Sequence, residues 1–342
     1  MDSIVTFSVI IPAYNVEPYL ARCMDSVLPA LLANDEVILS IEDSTDKSNE
    51  IAQQYAREHD NVRAMRHDVK GLSNARNYAR ERAKGTYIVY IDGDDRVDTA
   101  AFIKALQDIR EDGKKQGTPA DMYMYDFYCD NCLTRRLEPH FQIGESGEIK
   151  GINDICKVVK RSGSFWNAWR FIYRRDFLTD NAITFPENRL CEDIDHTTSV
   201  LLARPNTVFR HDPFYIYTQY RGGSIMNNVS LKRFEDVIYI LEQSVQKMRD
   251  AKLAYSACVI NKYQWEYIWN AALIYELPKA EREAASRLYT DAADIVLKDV
   301  DAKLRPVAGI LKTAGAMPIS WALHILKQMK YRKMKRVGEI HE

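Results

Sequence analysis

Tyr87-Ile88-Val89-Tyr90-Ile91-Asp92-Gly93-Asp94-Asp95 decides the reading of this chain. The β-branched and aromatic side chains from Tyr87 to Ile91 favour a short buried strand. Three carboxylates and a glycine follow at once, and carboxylates cannot continue a buried run. The strand is therefore expected to end with an acidic tip in a cleft. In open α/β sheets, ligands bind outside the carboxyl ends of the strands. Asp92 and Asp94 suit a hard divalent cation, Mn²⁺ or Mg²⁺, which takes oxygen ligands and leaves positions for phosphate oxygens. For so short a motif, an acidic turn with no cation is the plain alternative.

Upstream, Phe7 to Ile11 reads as a strand ended by Pro12, and Ala13 to Pro18 as a turn. Pro18 suits the first turn of a helix carrying Leu20, Cys23, Met24, Val27 and Leu28 at helical spacing. Glu36 to Ile41 is a second strand. The polar loop Glu42 to Asp46 follows, then a helix from Ser48 to Arg57. Val62 to Met65 is a third strand. Lys70 to Ser73 leads into a helix from Asn74 to Ala83, with Ser73 as its N-cap and Gly85 beyond its end. This alternation implies a mainly parallel sheet covered by helices on both faces.

Downstream the pattern is mixed. A helix is expected over Ala100 to Arg110, a polar loop from Asp112 to Pro119 and a strand from Met122 to Tyr128. A hairpin region spans Leu133 to Ile149 with turns at Gly144 and Gly147, and a short helix spans Asn153 to Lys160. The aromatic run Phe165 to Tyr173 reads as core. Glu192 to Leu202 reads as a helix entered through two acids, and Val208 to Tyr217 as a strand. From Leu231 the period turns helical, with Leu231, Phe234, Ile238, Leu241, Val245 and Met248 on one face. Further helices cover Ala254 to Leu277 and Glu281 to Leu297. The change of period near residue 228 separates an α/β unit, 1–228, from a helical extension, 229–342.

The chain has 342 residues, 46% apolar and 28% charged, as an ordinary globular protein does. A formal net charge of −1 argues against nucleic acid as a partner. Six cysteines are scattered, and the single Cys129-x-x-Cys132 has no second pair, so free cytosolic thiols are expected. The early first strand leaves no room for a signal peptide, and no run of about 18 apolar residues suggests a membrane span. A cytoplasmic location follows. Pro306 to Leu326 is moderately apolar, and Lys327, Lys330, Arg332, Lys333, Lys335 and Arg336 cluster after it. Such a basic amphipathic tail suits peripheral contact with an anionic membrane, at about 1 kcal/mol per cation. The alternative is a packed helix with a solvated basic face.

In this order the segments resemble family 2 glycosyltransferases, the inverting GT-A-fold enzymes of bacterial polysaccharide, capsule and lipopolysaccharide synthesis. Ser8 to Asn15 resembles the family's opening strand, Asp43 to Asp46 its DDGSTD loop, Gly71 to Asn77 its G-x-S-x-A-R-N segment and Asp92 to Asp95 its DxD motif. Trp166-Asn167, Arg174 to Phe177, Phe185-Pro186 and Glu192-Asp193 follow in the family's order, and Pro213 to Ser224 resembles the end of its domain. The resemblance spans about residues 5–225. It implies a GT-A fold: a Rossmann-like nucleotide-binding half, 1–98, fused to a mixed-sheet acceptor half, 99–228, ahead of the helical extension.

The implied reaction moves a hexose or N-acetylhexosamine from a nucleotide-diphosphate sugar, expected to be a UDP-sugar, to a saccharide or lipid-linked acceptor. By resemblance, Asp193 is the general base, with Asp195 its internal rival. Asp94, with Asp92, holds the metal. Pro12, Ala13, Tyr14, Asn15 and Glu17 on the first turn, and Glu42, Asp43 and Ser44 on the second, hold the uridine. Lys70, Asn74 and Arg76 serve phosphate or ribose, and Asp92 and Gly93 complete the donor site. Taken alone, Glu17 is an acid favoured at a helix start, Glu192-Asp193 is a helix cap and Arg76 is a surface ion pair.

One departure stands out. The family loop begins Asp-Asp-Gly, whereas this chain has Ile41-Glu42-Asp43. Either Glu42 or Asp43 would meet the base. Rival classes are a magnesium-dependent phosphatase of the haloacid dehalogenase type and a non-catalytic sugar-nucleotide-binding module. A phosphatase would carry its acidic tip on the first strand. A nucleotidyltransferase lacks its glycine-rich loop here, and an oxidoreductase its GxGxxG.

Overall fold

The structure, a computed structural model, describes residues 6–115, 120–140, 149–150, 152–161, 164–221 and 229–339. The first half alternates β1 (Phe7–Ala13), α1 (Glu17–Val27), β2 (Glu36–Ile41), α2 (Ser48–Glu58), β3 (Val62–Arg66), α3 (Leu72–Glu81) and β4 (Tyr87–Tyr90). Next come β5 (Arg96–Val97), α4 (Thr99–Lys115), β6 (Met122–Asn131), β7 (Arg136–His140), β8 (Ile149–Lys150) and α5 (Ile152–Arg161). The sheet is completed by β9 (Phe171–Arg174) and β10 (Thr207–Gln219), with α6 (Arg175–Asp180) and α7 (Glu192–Leu202) between them. Last are α8 (Leu231–Ala251), α9 (Ser256–Asn270), α10 (Lys279–Val296), α11 (Arg305–Ala314) and α12 (Met317–Glu339).

Among the described residues one sheet runs β3-β2-β1-β4-β9-β6-β10-β5, with β7 on β6 and β8 on β10. The first four strands are parallel, as the alternation predicts. Then β9 is antiparallel to both β4 and β6, so β4 lies where the parallel half meets the mixed half. Period-two alternation assigns the faces. Val9, Ile11, Tyr87 and Val89 pack towards α1, α2 and α4. Ile10, Ile88 and Tyr90 share a core with α3 and the C-terminal helices. That second core is continuous from Ile10 to Ile319, so the helical bundle is packed on the sheet. Truncating a fully buried member such as Ile88 costs about 2–5 kcal/mol.

Several expectations need correction. Pro12 lies inside β1, opposite Ser40, and does not end it. The α3 helix starts at Leu72, with Gly71 at φ +110° as its N-cap and Ser73 already in the first turn. The helix at Thr99 runs on through Gly113, because Asp112 is drawn in by Arg210 at 2.6 Å. The β6–β7 hairpin turns at residues 132–135. Gly144 and Gly147 lie outside the described residues. The strands β5 and β9 were not anticipated. The helix from Ala254 stops at Asn270, where a 3-10 turn takes over to Glu276. Cys156 and Cys258 are not free: α5 and α9 bring their Cα atoms to 5.8 Å and they form a disulfide. Cys23, Cys129, Cys132 and Cys191 are free thiols. The aromatic run from Phe165 to Tyr173 is core, as expected.

Candidate active site

The acidic tip leaves β4 between β1 and β9. Gly93 is required by contact: a Cβ there would come within 2.8 Å of the Pro12 carbonyl oxygen. Asp92, Asp94 and Asp95 offer carboxylate oxygens within 4.8 Å of one another. Their environments differ. Asp95 is buried, accepting from the Tyr215 hydroxyl at 2.6 Å and the Thr218 N–H at 2.7 Å. Burial, then the charges of Asp94 and Asp92, pushes its carboxyl well above the usual range. Burial also raises Asp94, with Asp92 adding to the rise and Arg221 opposing it. The Arg221 guanidinium grips Asp94 and lies over the Tyr19 ring, 5.2 Å from its centre.

Asp92 faces the other way, towards Arg76. The Arg76 guanidinium, 1% exposed, donates to Asp92 Oδ1 at 2.8 Å, Glu192 Oε1 at 2.8 Å and Asp193 Oδ1 at 2.9 Å. Its charge is held by three carboxylates and is not offered to an open cleft, which changes the role expected from the sequence. Buried cations need such partners, since an unpaired one is costly in a low dielectric. Asn77 fixes the floor beneath it. Its amide bonds both the N–H and the C=O of Phe185, at 3.0 and 2.8 Å, and the Phe185 ring lies 5.1 Å under the Arg76 guanidinium.

Glu192 and Asp193 open α7 after Cys191, whose backbone sits at φ +63°. A helix N-terminus favours carboxylate charge, yet burial prevails here. Burial, helped by the charges of Glu192 and Asp92 and opposed by Arg76, raises the Asp193 carboxyl to about 7. Glu192 is raised by burial as well. Asp195 points elsewhere, pairing with Lys247 of α8 at 2.8 Å.

The two turns expected to hold a nucleoside are knitted to each other. Asn15, at φ +52°, accepts from the Thr45 N–H at 2.8 Å and donates its own N–H to Ser44 Oγ at 3.2 Å. Glu17 accepts from the Lys47 N–H at 3.0 Å. Tyr14 is exposed beside Asn15, while Ala13 is buried. Glu42 is also buried and accepts from the Gly71 N–H at 2.9 Å, whereas Asp43 is exposed at the rim, paired with Arg66 at 2.7 Å. Lys70 is exposed, and its carbonyl accepts from Asn74 Nδ2 at 2.7 Å. Missed from the sequence were Arg221 and Tyr215. Both fall within the matched stretch Pro213 to Ser224, which gave a place to look but no role.

Residues 8–141 match the family model for glycosyl transferase family 2. The chain is 28% identical over 250 residues to the uncharacterized glycosyltransferase EpsJ of Bacillus subtilis, covering 72% of this chain and 69% of that one. It is 26% identical over 248 residues to the glycosyltransferase GlyG of Streptococcus pneumoniae, covering 70% and 79%. A crystal structure of S. aureus TarS 1–349 in complex with UDP-GlcNAc superposes with a TM-score of 0.71 at 20% identity, covering 99% of this chain and 93% of that one. That likeness is one of fold and takes in the C-terminal helices. The fold is of the GT-A type with a C-terminal helical bundle. Over residues 8–141 the chain carries the glycosyl transferase family 2 pattern, and it is an enzyme of that type.

Proposed function

We propose that this enzyme is an inverting transferase that moves a hexose or N-acetylhexosamine from a UDP-sugar to a hydroxyl of a saccharide or lipid-linked saccharide. The observation that carries the reading is the shared guanidinium of Arg76. It joins the acidic tip at Asp92 to Asp193, a carboxyl raised to about 7. A base of that strength takes a proton near neutral pH. The acceptor oxygen bonds to the anomeric carbon as its proton passes to the Asp193 carboxylate. The carbon–oxygen bond to the diphosphate breaks and its electron pair leaves with the diphosphate. One such displacement inverts the anomeric centre.

The tip suits a hard divalent cation by its donor chemistry, since all three groups are carboxylates within 4.8 Å. Asp94 and Asp92 would hold Mn²⁺ or Mg²⁺, because Asp95 is committed to Tyr215 and Thr218. When bound, the cation supplies Lewis-acid stabilisation of the leaving diphosphate. Arg76 keeps Asp193 oriented, and the Asn15–Thr45 and Glu17–Lys47 contacts hold the two turns together as a rim for the nucleoside. Asp43, exposed on that rim, is better placed than buried Glu42 to meet a base. The bundle extends the enzyme from residue 229, and the catalytic unit spans 1–228. UDP-GlcNAc in the similarly folded TarS supports testing UDP-sugars first.

The deciding experiment is a thermal-shift panel of nucleoside diphosphates and UDP-sugars with and without Mn²⁺, since ligands of the native state raise apparent stability. A shift with UDP that needs Mn²⁺ and is lost in Asp94→Ala is the expected result. No shift with any nucleotide would overturn the reading.

A further inference from the structure

Residues 302–338 contain nine lysines and arginines and no acid, although the whole chain sums to −1. The rest of the chain therefore carries ten excess negative charges. Most of these cations lie on α12, and that helix has two unlike faces. Its inner face is docked. Ser320 Oγ donates to the Ala271 carbonyl at 2.6 Å, the His324 ring lies 5.6 Å from Tyr275, and Lys327 pairs with Glu276 at 2.6 Å. Its outer face carries Trp321, Ile325, Leu326 and Met329 at helical spacing, and these are 56%, 37%, 55% and 62% exposed. The same face continues into Arg332, Lys333 and Arg336, all exposed.

We infer that the outer face of α12 seats this enzyme on an anionic lipid bilayer, apolar side chains in the acyl boundary and cations at the headgroups. The pairing of the two features selects the occupant. A soluble polyanion would use the cations and leave Leu326 and Met329 without purpose. A second copy of this face would set Arg332, Lys333 and Arg336 against cations of the same sign. A bilayer with anionic headgroups uses both. The seating itself does not depend on the donor being a UDP-sugar.

The test is co-sedimentation of the full chain with phosphatidylglycerol–phosphatidylcholine vesicles and with phosphatidylcholine vesicles, at low and high salt. Binding is expected to anionic vesicles alone and to weaken with salt. Each of Arg332→Gln, Lys333→Gln and Arg336→Gln should lower the partition coefficient about fivefold. The double variant Leu326→Asn/Met329→Asn should lower it about tenfold or more. These side chains meet solvent, so every variant should keep the parent's thermal midpoint and its response to UDP with Mn²⁺. No sedimentation at low salt, or equal binding to neutral vesicles, would overturn the inference. So would an unchanged partition in the Leu326→Asn/Met329→Asn variant, which would leave the cations to a soluble polyanion. Self-association that this variant abolishes would assign the face to a second copy and overturn it too.

Discussion

Arg76 and Arg221 both bind carboxylates at the tip of β4, but they differ in depth and in company. Arg76 is enclosed and divides its charge among Asp92, Glu192 and Asp193. Arg221 comes from the far end of β10 and takes hold of Asp94, a group the proposed cation would also need. The first contact is fixed, because losing the arginine would leave the buried acids Glu192 and Asp193 without their counter-charge in a low dielectric. The second would be exchangeable if the proposed cation binds, because it would compete with the guanidinium for the same Asp94 oxygens. On the proposed reading, Arg76 belongs to the side of the site that would supply the base, and Arg221 to the side that would hold the cation.

The sharpest test of the base side is Asp193→Asn, which should cut transfer by about 10²–10⁴-fold while UDP affinity is kept. Retained transfer in that variant would remove Asp193 from its role. In the parent, kcat/KM should rise about tenfold per unit up to pH 7 and then level off. Stability should move the opposite way. A carboxyl near 7 in the folded state, against about 3.9 unfolded, favours the fold at low pH. That contribution is lost as pH rises through 7. The Asn variant should therefore gain thermal stability over the parent at pH 8 and not at pH 4.

Breaking the fixed contact comes next. Arg76→Met should destabilise by about 3–5 kcal/mol in urea titrations, more at pH 8 than at pH 5. Equal losses at both would mean that packing, not charge, holds the guanidinium. Tyr215→Phe, which removes the hydroxyl between Asp95 and the Asp92 N–H, should cost about 1–2 kcal/mol. The smallest effect is expected from Arg221→Ala. By calorimetry Mn²⁺ should bind several-fold tighter, a change of about 1 kcal/mol. Unchanged or weaker Mn²⁺ binding would show that Arg221 does not compete at Asp94.

The parallel half was legible because its signals are local. Val9 to Ile11 and Tyr87 to Ile91 announce buried strands, and the acids after Ile91 announce a strand end. The mixed half was less so. The two-residue β5 is too short to carry a period, and β9 is hidden in an aromatic run whose rings are core on either reading. At the site, the order of segments pointed to Asp92, Asp94 and Asp193 by resemblance. What joins them was not readable. Arg76 meets Glu192 across 116 residues and Arg221 meets Asp94 across 127, and no spacing rule spans such separations. The Cys156–Cys258 disulfide was invisible for the same reason, with 102 residues between its ends.

The Arg76 contacts have a consequence for anyone cutting the gene. The family match stops at residue 141, but two of the three anions that neutralise Arg76 come from residues 192 and 193. A piece ending at 141 would keep the recognisable motifs, yet its most enclosed cation would face a void where α7 had been. The border of the recognisable sequence is thus not a border of foldability. The shortest piece that satisfies this arginine must reach through the end of α7 at Leu202.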